Sequence, residues 1–288
     1  MMSMPTSFKR MVVGMSPSMT DQVAVGAAAE LAEFLHVEVL ATFVADPRLY
    51  ALAQHSSVRE WRIFDRGWHS LDWAQITSEI DRAAAAARRR FAEAVSSCTM
   101  KTNFDIVAGA DVMASLFRND DIVVIIEPSH PVEQITGQFD NVLGAALQSA
   151  GAVLVMPRRI ARFSGPVLVI ATGAEDASIS AALQISAALK EQLIVAMPSG
   201  ILVATTVLAS AKELGVYVEQ VTKEWLSGPL GLGERLRVIT RTGTLGDASR
   251  MFSCLQGVPL LIIASERSKI ISSSKEQRAQ NAASKPAD

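Results

Sequence analysis

The sequence predicts an α/β protein built as two domains, each a parallel sheet with helices on both faces. Three observations lead there. Short apolar runs of strand length alternate with helix-patterned stretches along most of the chain. The pattern occurs twice. Met11-Val12-Val13-Gly14-Met15-Ser16, a helical stretch over 21–35 and the run Val37–Val44 are matched by Pro166–Gly173, a helical stretch over 176–189 and Gln192–Met197. The chain has 288 residues and is 49% apolar, enough to fill two cores. Alternation implies parallel pairing, because parallel neighbours need a crossover and the helix supplies it; right-handed crossovers then place helices on both faces.

Taken in order, the first strand begins at Met11, and Thr20 or Asp21 is placed to cap the helix behind it. Ala24, Ala28, Leu31 and Leu35 share one face of that helix. The second strand ends at Ala45-Asp46-Pro47. An irregular stretch over 48–78 precedes an Ala- and Arg-rich helix over 78–96. Strands are expected at 103–108, 121–126 and 152–156, with a short helix at 111–117 and a longer one at 139–149. The unbroken apolar run 121–126 is the pattern of a strand buried on both faces. A basic linker, Pro157 to Gly165, leads to strands near 166–171, 192–197, 216–222, 236–240 and 259–264 and helices near 177–189, 203–214 and 247–255. The boundaries expected are 1–160 and 161–265, the second domain being shortened by a Gly- and Pro-rich stretch over 225–234. Residues 266–288 lack periodicity and read as a disordered tail.

Composition excludes several functions. A net charge of −2 gives no basic field for nucleic acid or an anionic membrane. No apolar run reaches the roughly 18 residues of a membrane helix. The apolar stretch before Ser16 is too short for a signal peptide. Cys98 and Cys254, in different halves, form no metal-ligand spacing and read as reduced thiols. His36, His55, His69 and His130 include no pair at metal spacing. A cytoplasmic protein without a metal is the expectation.

In a parallel sheet of this kind, ligands bind beyond the carboxyl ends of the strands where strand order reverses. The candidate site residues therefore follow the first and fourth strand of each half. With the segments Val12–Val44, Ala152-Val153-Leu154-Val155-Met156-Pro157, Pro166-Val167-Leu168-Val169, Leu245–Arg250 and Val258–Ile263, the chain resembles a tandem universal stress protein. The resemblance implies two flavodoxin-like domains, pairing through their last strands with 152–156 against 259–264. For the members that bind ATP, it implies an Asp at the end of strand one and a glycine loop, G-x2-G-x9-G-[ST], after strand four.

This chain departs from that pattern in both copies. Ser16 and Thr172 stand at the Asp position. After strand four the first copy reads Ile126-Glu127-Pro128-Ser129-His130-Pro131, which has no glycine pair and loses two N–H donors to proline. The second reads Thr240-Arg241-Thr242-Gly243-Thr244-Leu245-Gly246-Asp247; Gly243 and Gly246 remain, the long span is absent, and Asp247 brings the wrong charge for phosphate. Ser16, Thr172, Gly173, Thr240, Gly243, Gly246 and Ser249 are the candidate ligand-binding residues, with no cofactor expected and ATP as the alternative. Without a G-x-S-x-G elbow or an evident base, no residue is assigned a catalytic role.

Trp61, Phe64 and Trp68 fall at i, i+3 and i+7, with Tyr50 and Trp73 nearby. That spacing predicts a long helix packing an aromatic stripe on the sheet; the other reading is an aromatic pocket or partner surface. Arg88-Arg89-Arg90 reads as a solvated helix face. Two functions follow. One is a non-enzymatic stress-response protein that binds an unnamed protein or small ligand, as an internal pseudo-dimer that can pair further as a homodimer. The other is an adenine-nucleotide-binding protein or slow ATPase using the second copy around Thr172, Gly243 and Gly246.

Overall fold

The computed structural model describes residues 8–15, 22–45, 51, 58–70, 72–109, 115–127, 138–157, 160, 163–222, 236–243 and 257–264. Its first part contains strand β1 (Arg10–Met15), helix α1 (Gln22–Phe34), β2 (Glu38–Ala45), β3 (Arg59–Arg62), β4 (Gly67–Ser70), α2 (Trp73–Ala94), β5 (Thr102–Ala108), β6 (Asp121–Ile126), α3 (Gln138–Ser149) and β7 (Ala152–Met156). The second contains β8 (Val167–Ile170), α4 (Ala177–Leu189), β9 (Leu193–Met197), α5 (Thr205–Glu213), β10 (Val218–Thr222), β11 (Val238–Gly243) and β12 (Leu260–Ala264).

All strands but β3 and β4 join one ten-stranded sheet, in the order β10-β9-β8-β11-β12-β7-β6-β1-β2-β5. Its neighbours pair in parallel with one exception. β7 runs antiparallel to β12, with Val155 opposite Leu260, Leu154 opposite Leu261, Val153 opposite Ile262 and Ala152 opposite Ile263. The sheet is therefore two runs of parallel strands meeting edge to edge, and each run places its strands in the same relative order.

The pleat divides the core. Met11, Val13 and Met15 of β1 point to the face covered by α1, α2 and α4; Val12 points to the face covered by α3 through Leu143 and Ala146. β6, β7 and β9 are buried along their whole length, which explains sequences that are apolar throughout save for Asp121 at the head of β6. The core on the α1 side runs unbroken from Met11 to Leu261, so the two runs share it. Small residues, Ala24, Ala28, Ala29 and Ala32, let α1 lie close to the sheet. Across the junction Arg237 holds Glu30 of α1 at 3.0 Å and lies 5.6 Å over the ring of Phe34.

Local chemistry sets the element ends. Asp72 caps α2, accepting from the Ala74 N–H at 2.9 Å. α4 ends at Lys190 in the left-handed conformation (φ 55), with the Glu191 N–H donating to the Ser186 carbonyl at 2.9 Å. Gly151 sits where a Cβ would collide with the Asn119 carbonyl. At the amino ends of β1 and β6, Arg10 makes two bonds to the buried Asp121, at 3.0 and 2.6 Å, and Asp121 also accepts from the Arg118 N–H at 2.8 Å.

The aromatic stripe is not helical. Residues 59–70 form an antiparallel hairpin, β3–β4, in which Trp61 is the cross-strand partner of Trp68. A seven-residue separation brings two side chains together either as two helical turns or as one step across a hairpin loop. Arg66, left-handed at φ 47, and Gly67 favour the second. The helix that follows begins at Trp73, earlier than the expected 78, because Asp72 caps it. The expected helices at 247–255 and most of 111–117, the capping residues Thr20 and Asp21, and the tail over 266–288 lie outside the described residues.

Candidate functional site at the strand carboxyl ends

Strand order reverses between β8 and β11 in one run and between β1 and β6 in the other. At the first of these points β8 ends at Ile170, the Ala171 N–H donates to the Ala196 carbonyl at 3.0 Å, and the chain turns through Thr172 and Gly173 toward α4. Gly173 opens onto free space: nothing lies within 4 Å of where its Cβ would be.

The donors here converge on one carboxylate. Asp176, the N-cap of α4, accepts at Oδ2 from the N–H and the hydroxyl of Thr172, both at 2.8 Å. At Oδ1 it accepts from the Ser178 N–H at 3.0 Å, the Ser178 hydroxyl at 2.7 Å and the Thr242 hydroxyl on β11. Burial pushes this carboxyl up, but the bonds from Thr242, Ser178 and Thr172 outweigh it and hold its pKa below the usual carboxylate range. The helix N-terminus that favours an anion is therefore served by an anion of the chain itself.

The expected residues divide accordingly. Thr172, Gly173 and Gly243 lie at the strand ends. Thr240 is fully buried and its hydroxyl points to the Leu168 carbonyl at 3.4 Å, inside the sheet. Arg241 is half-buried, with Nε 3.4 Å from the Thr242 carbonyl. Ser16, Gly246 and Ser249 lie outside the described residues, as do Asp247 and His130. Sequence reasoning missed Asp176 as a site residue. The signal was present as Asp176-x-Ser178 at the head of a helical stretch, an N-cap pattern three residues after a candidate glycine.

At the other reversal point Glu127 follows β6. Its N–H donates to the Met156 carbonyl at 2.9 Å, and burial pushes its carboxyl up. Among the described residues no group of three or more His, Cys, Asp or Glu is placed to hold a metal ion, and no helix is long and apolar enough to cross a membrane. Arg88 lies over the Phe104 ring at 5.3 Å on an exposed face of α2, and His69 meets Asp65 at 3.0 Å in the hairpin.

No family model matches the chain. No curated protein sequence matches it either. Solved structures do. A universal stress protein from Archaeoglobus fulgidus DSM 4304 aligns over 88% of this chain and 95% of its own, with a TM-score of 0.59 at 14% identity. A functionally unknown protein from Pseudomonas aeruginosa PAO1 aligns over 96% and 98%, with a TM-score of 0.49 at 13% identity. Likeness at such identity speaks for architecture: the chain has the mixed α/β, flavodoxin-like fold of a universal stress protein.

Proposed function

We propose that the chain is a non-enzymatic, universal stress protein-like member of a stress response, which acts by binding a partner or small ligand and has given up the triphosphate cradle. The supporting observation is Asp176. Thr172, Ser178 and Thr242 direct their donors onto its carboxylate, so among the described residues those donors are turned inward at the β8–β11 point rather than offered to a ligand. A phosphate brought beside it meets like charge; two unit charges about 4 Å apart near a protein surface repel by about 4 kcal/mol. Among the described residues, those at this point do not fit a triphosphate.

The same reading takes 1–160 and 161–265 as two domains of one type in a cytoplasmic protein, joined as an internal pseudo-dimer. The repeated strand order and the β7–β12 ladder support it. A second reading, a nucleotide-binding protein or slow ATPase at a non-standard site, is favoured by the open space beside Gly173 and the exposed Thr172. Calorimetric titration with ATP and Mg²⁺ separates the two. Silence at millimolar nucleotide is the expected result; micromolar binding overturns the first reading.

A further inference from the structure

The β3–β4 hairpin is built inside out. Glu60, Arg62 and His69 face the body of the protein: Arg62 donates from Nη2 to Gln75 Oε1 of α2 at 3.1 Å and from Nε to Glu60 at 2.6 Å. Its aromatic side chains face away. Trp61 is 50% exposed and Trp68 62%; at the loop Ile63 is 81% exposed and Phe64 fully so. A strand pair arranged by burial alone would alternate the other way. The two tryptophans meet edge to face, centroids 5.4 Å apart at 67°, which holds the surface in one shape before anything binds.

Beside the hairpin, the opening turns of α2 carry a shallow groove of about 590 Å³. Trp73 stands at one end and Ala85 at the other. Ala74 and Thr77 keep its floor low, and Asp81 and Arg82 flank it. The hairpin loop and the groove match. The loop carries an apolar pair, Ile63 and Phe64, followed by one acid and one base, Asp65 and Arg66; the groove offers an apolar floor with one acid and one base. A projection and a recess that fit each other, both on one chain, satisfy the self-complementarity of a two-fold interface.

We propose that this face binds a second copy of the chain, each copy seating its Phe64 loop in the α2 groove of the other, with Asp65 meeting Arg82 and Arg66 meeting Asp81. The area agrees. At about 200 Å² per full side chain, the exposed parts of Trp61, Ile63, Phe64, Trp68 and Trp73 come to on the order of 600–700 Å², close to the roughly 800 Å² each partner gives a stable interface. Rigid aromatic anchors entering a desolvated recess are where interface energy concentrates.

The test is sedimentation velocity on the full chain across the micromolar range, with tryptophan emission read in parallel. Wild type is expected to associate as a dimer, with emission shifting to shorter wavelength as concentration rises. Phe64→Asp is expected to weaken association at least tenfold. Ala85→Glu lies on α2, away from the hairpin fold, and is expected to do the same with an unchanged circular dichroism spectrum. Mixing the two variants is expected to recover part of the association, because one loop and one groove remain intact. A wild-type chain that stays monomeric throughout overturns the proposal, whether or not it partitions onto phosphatidylglycerol vesicles. So does a dimer that neither variant weakens.

Discussion

Asp176 brings five donors to one half-buried carboxylate, and that arrangement has a direct cost when removed. Replacing it with alanine strips the cap of α4 and leaves the Thr172 and Ser178 donors unpaired; at pH 7 a loss of about 1–2 kcal/mol is expected. Because the folded pKa lies below the unfolded one, this stability is present above the usual carboxylate range and is lost as pH falls through the folded value. Urea melts should therefore separate wild type from Asp176→Ala at pH 7 and bring them together in strong acid. Glu127 has the opposite sign. Burial raises its pKa, so its ionised form weakens the fold at neutral pH, and the weakness disappears as pH falls through the raised value to the ordinary glutamate range. Glu127→Gln should raise the melting temperature at pH 7 and leave it unchanged at about pH 4, near the free glutamate value. At this scale the sequence disclosed which residues follow the strands. It did not disclose that Asp176 and Thr242, far apart in the chain, share a hydrogen bond, because that contact exists only once β8 and β11 are neighbours.

Among the elements, buried strands were the most legible. The runs at 121–126 and 152–156 match β6 and β7 residue for residue, since strands covered on both faces admit little but apolar side chains. The helix over 177–189 was equally plain. The hairpin was not: its tryptophan spacing fits a helix and a turn alike, and the deciding facts are a left-handed Arg66 and a cap at Asp72. Such caps are also adjustable. Lys190 ends α4 at positive φ, where a Cβ costs roughly 1–2 kcal/mol, so Lys190→Gly is expected to stabilise by about 0.5–1 kcal/mol after the added freedom of the unfolded chain is deducted. A lower melting temperature for that variant would contradict this account of the helix end. Arg10→Met has a larger expected effect. It strands Asp121, whose side chain is 1% exposed, and a loss of about 3–5 kcal/mol follows from an uncompensated buried charge. Chemical denaturation measures it.

For the whole molecule, the shared core predicts shared unfolding. Leu154 is fully buried on β7 and faces Leu261 across the antiparallel seam. Leu154→Ala should cost about 2–5 kcal/mol and lower a single calorimetric transition as a unit. Two separated transitions, with only one displaced, would mean that the halves unfold independently. The antiparallel seam has one more outcome. Because strand direction inverts there, the β1–β6 notch and the β8–β11 notch open on opposite rims, separated by at least a strand length, roughly 17–20 Å. No compact molecule spans both. Whatever occupies one rim leaves the other clear, and any communication between occupants must pass along the strands that lie between them.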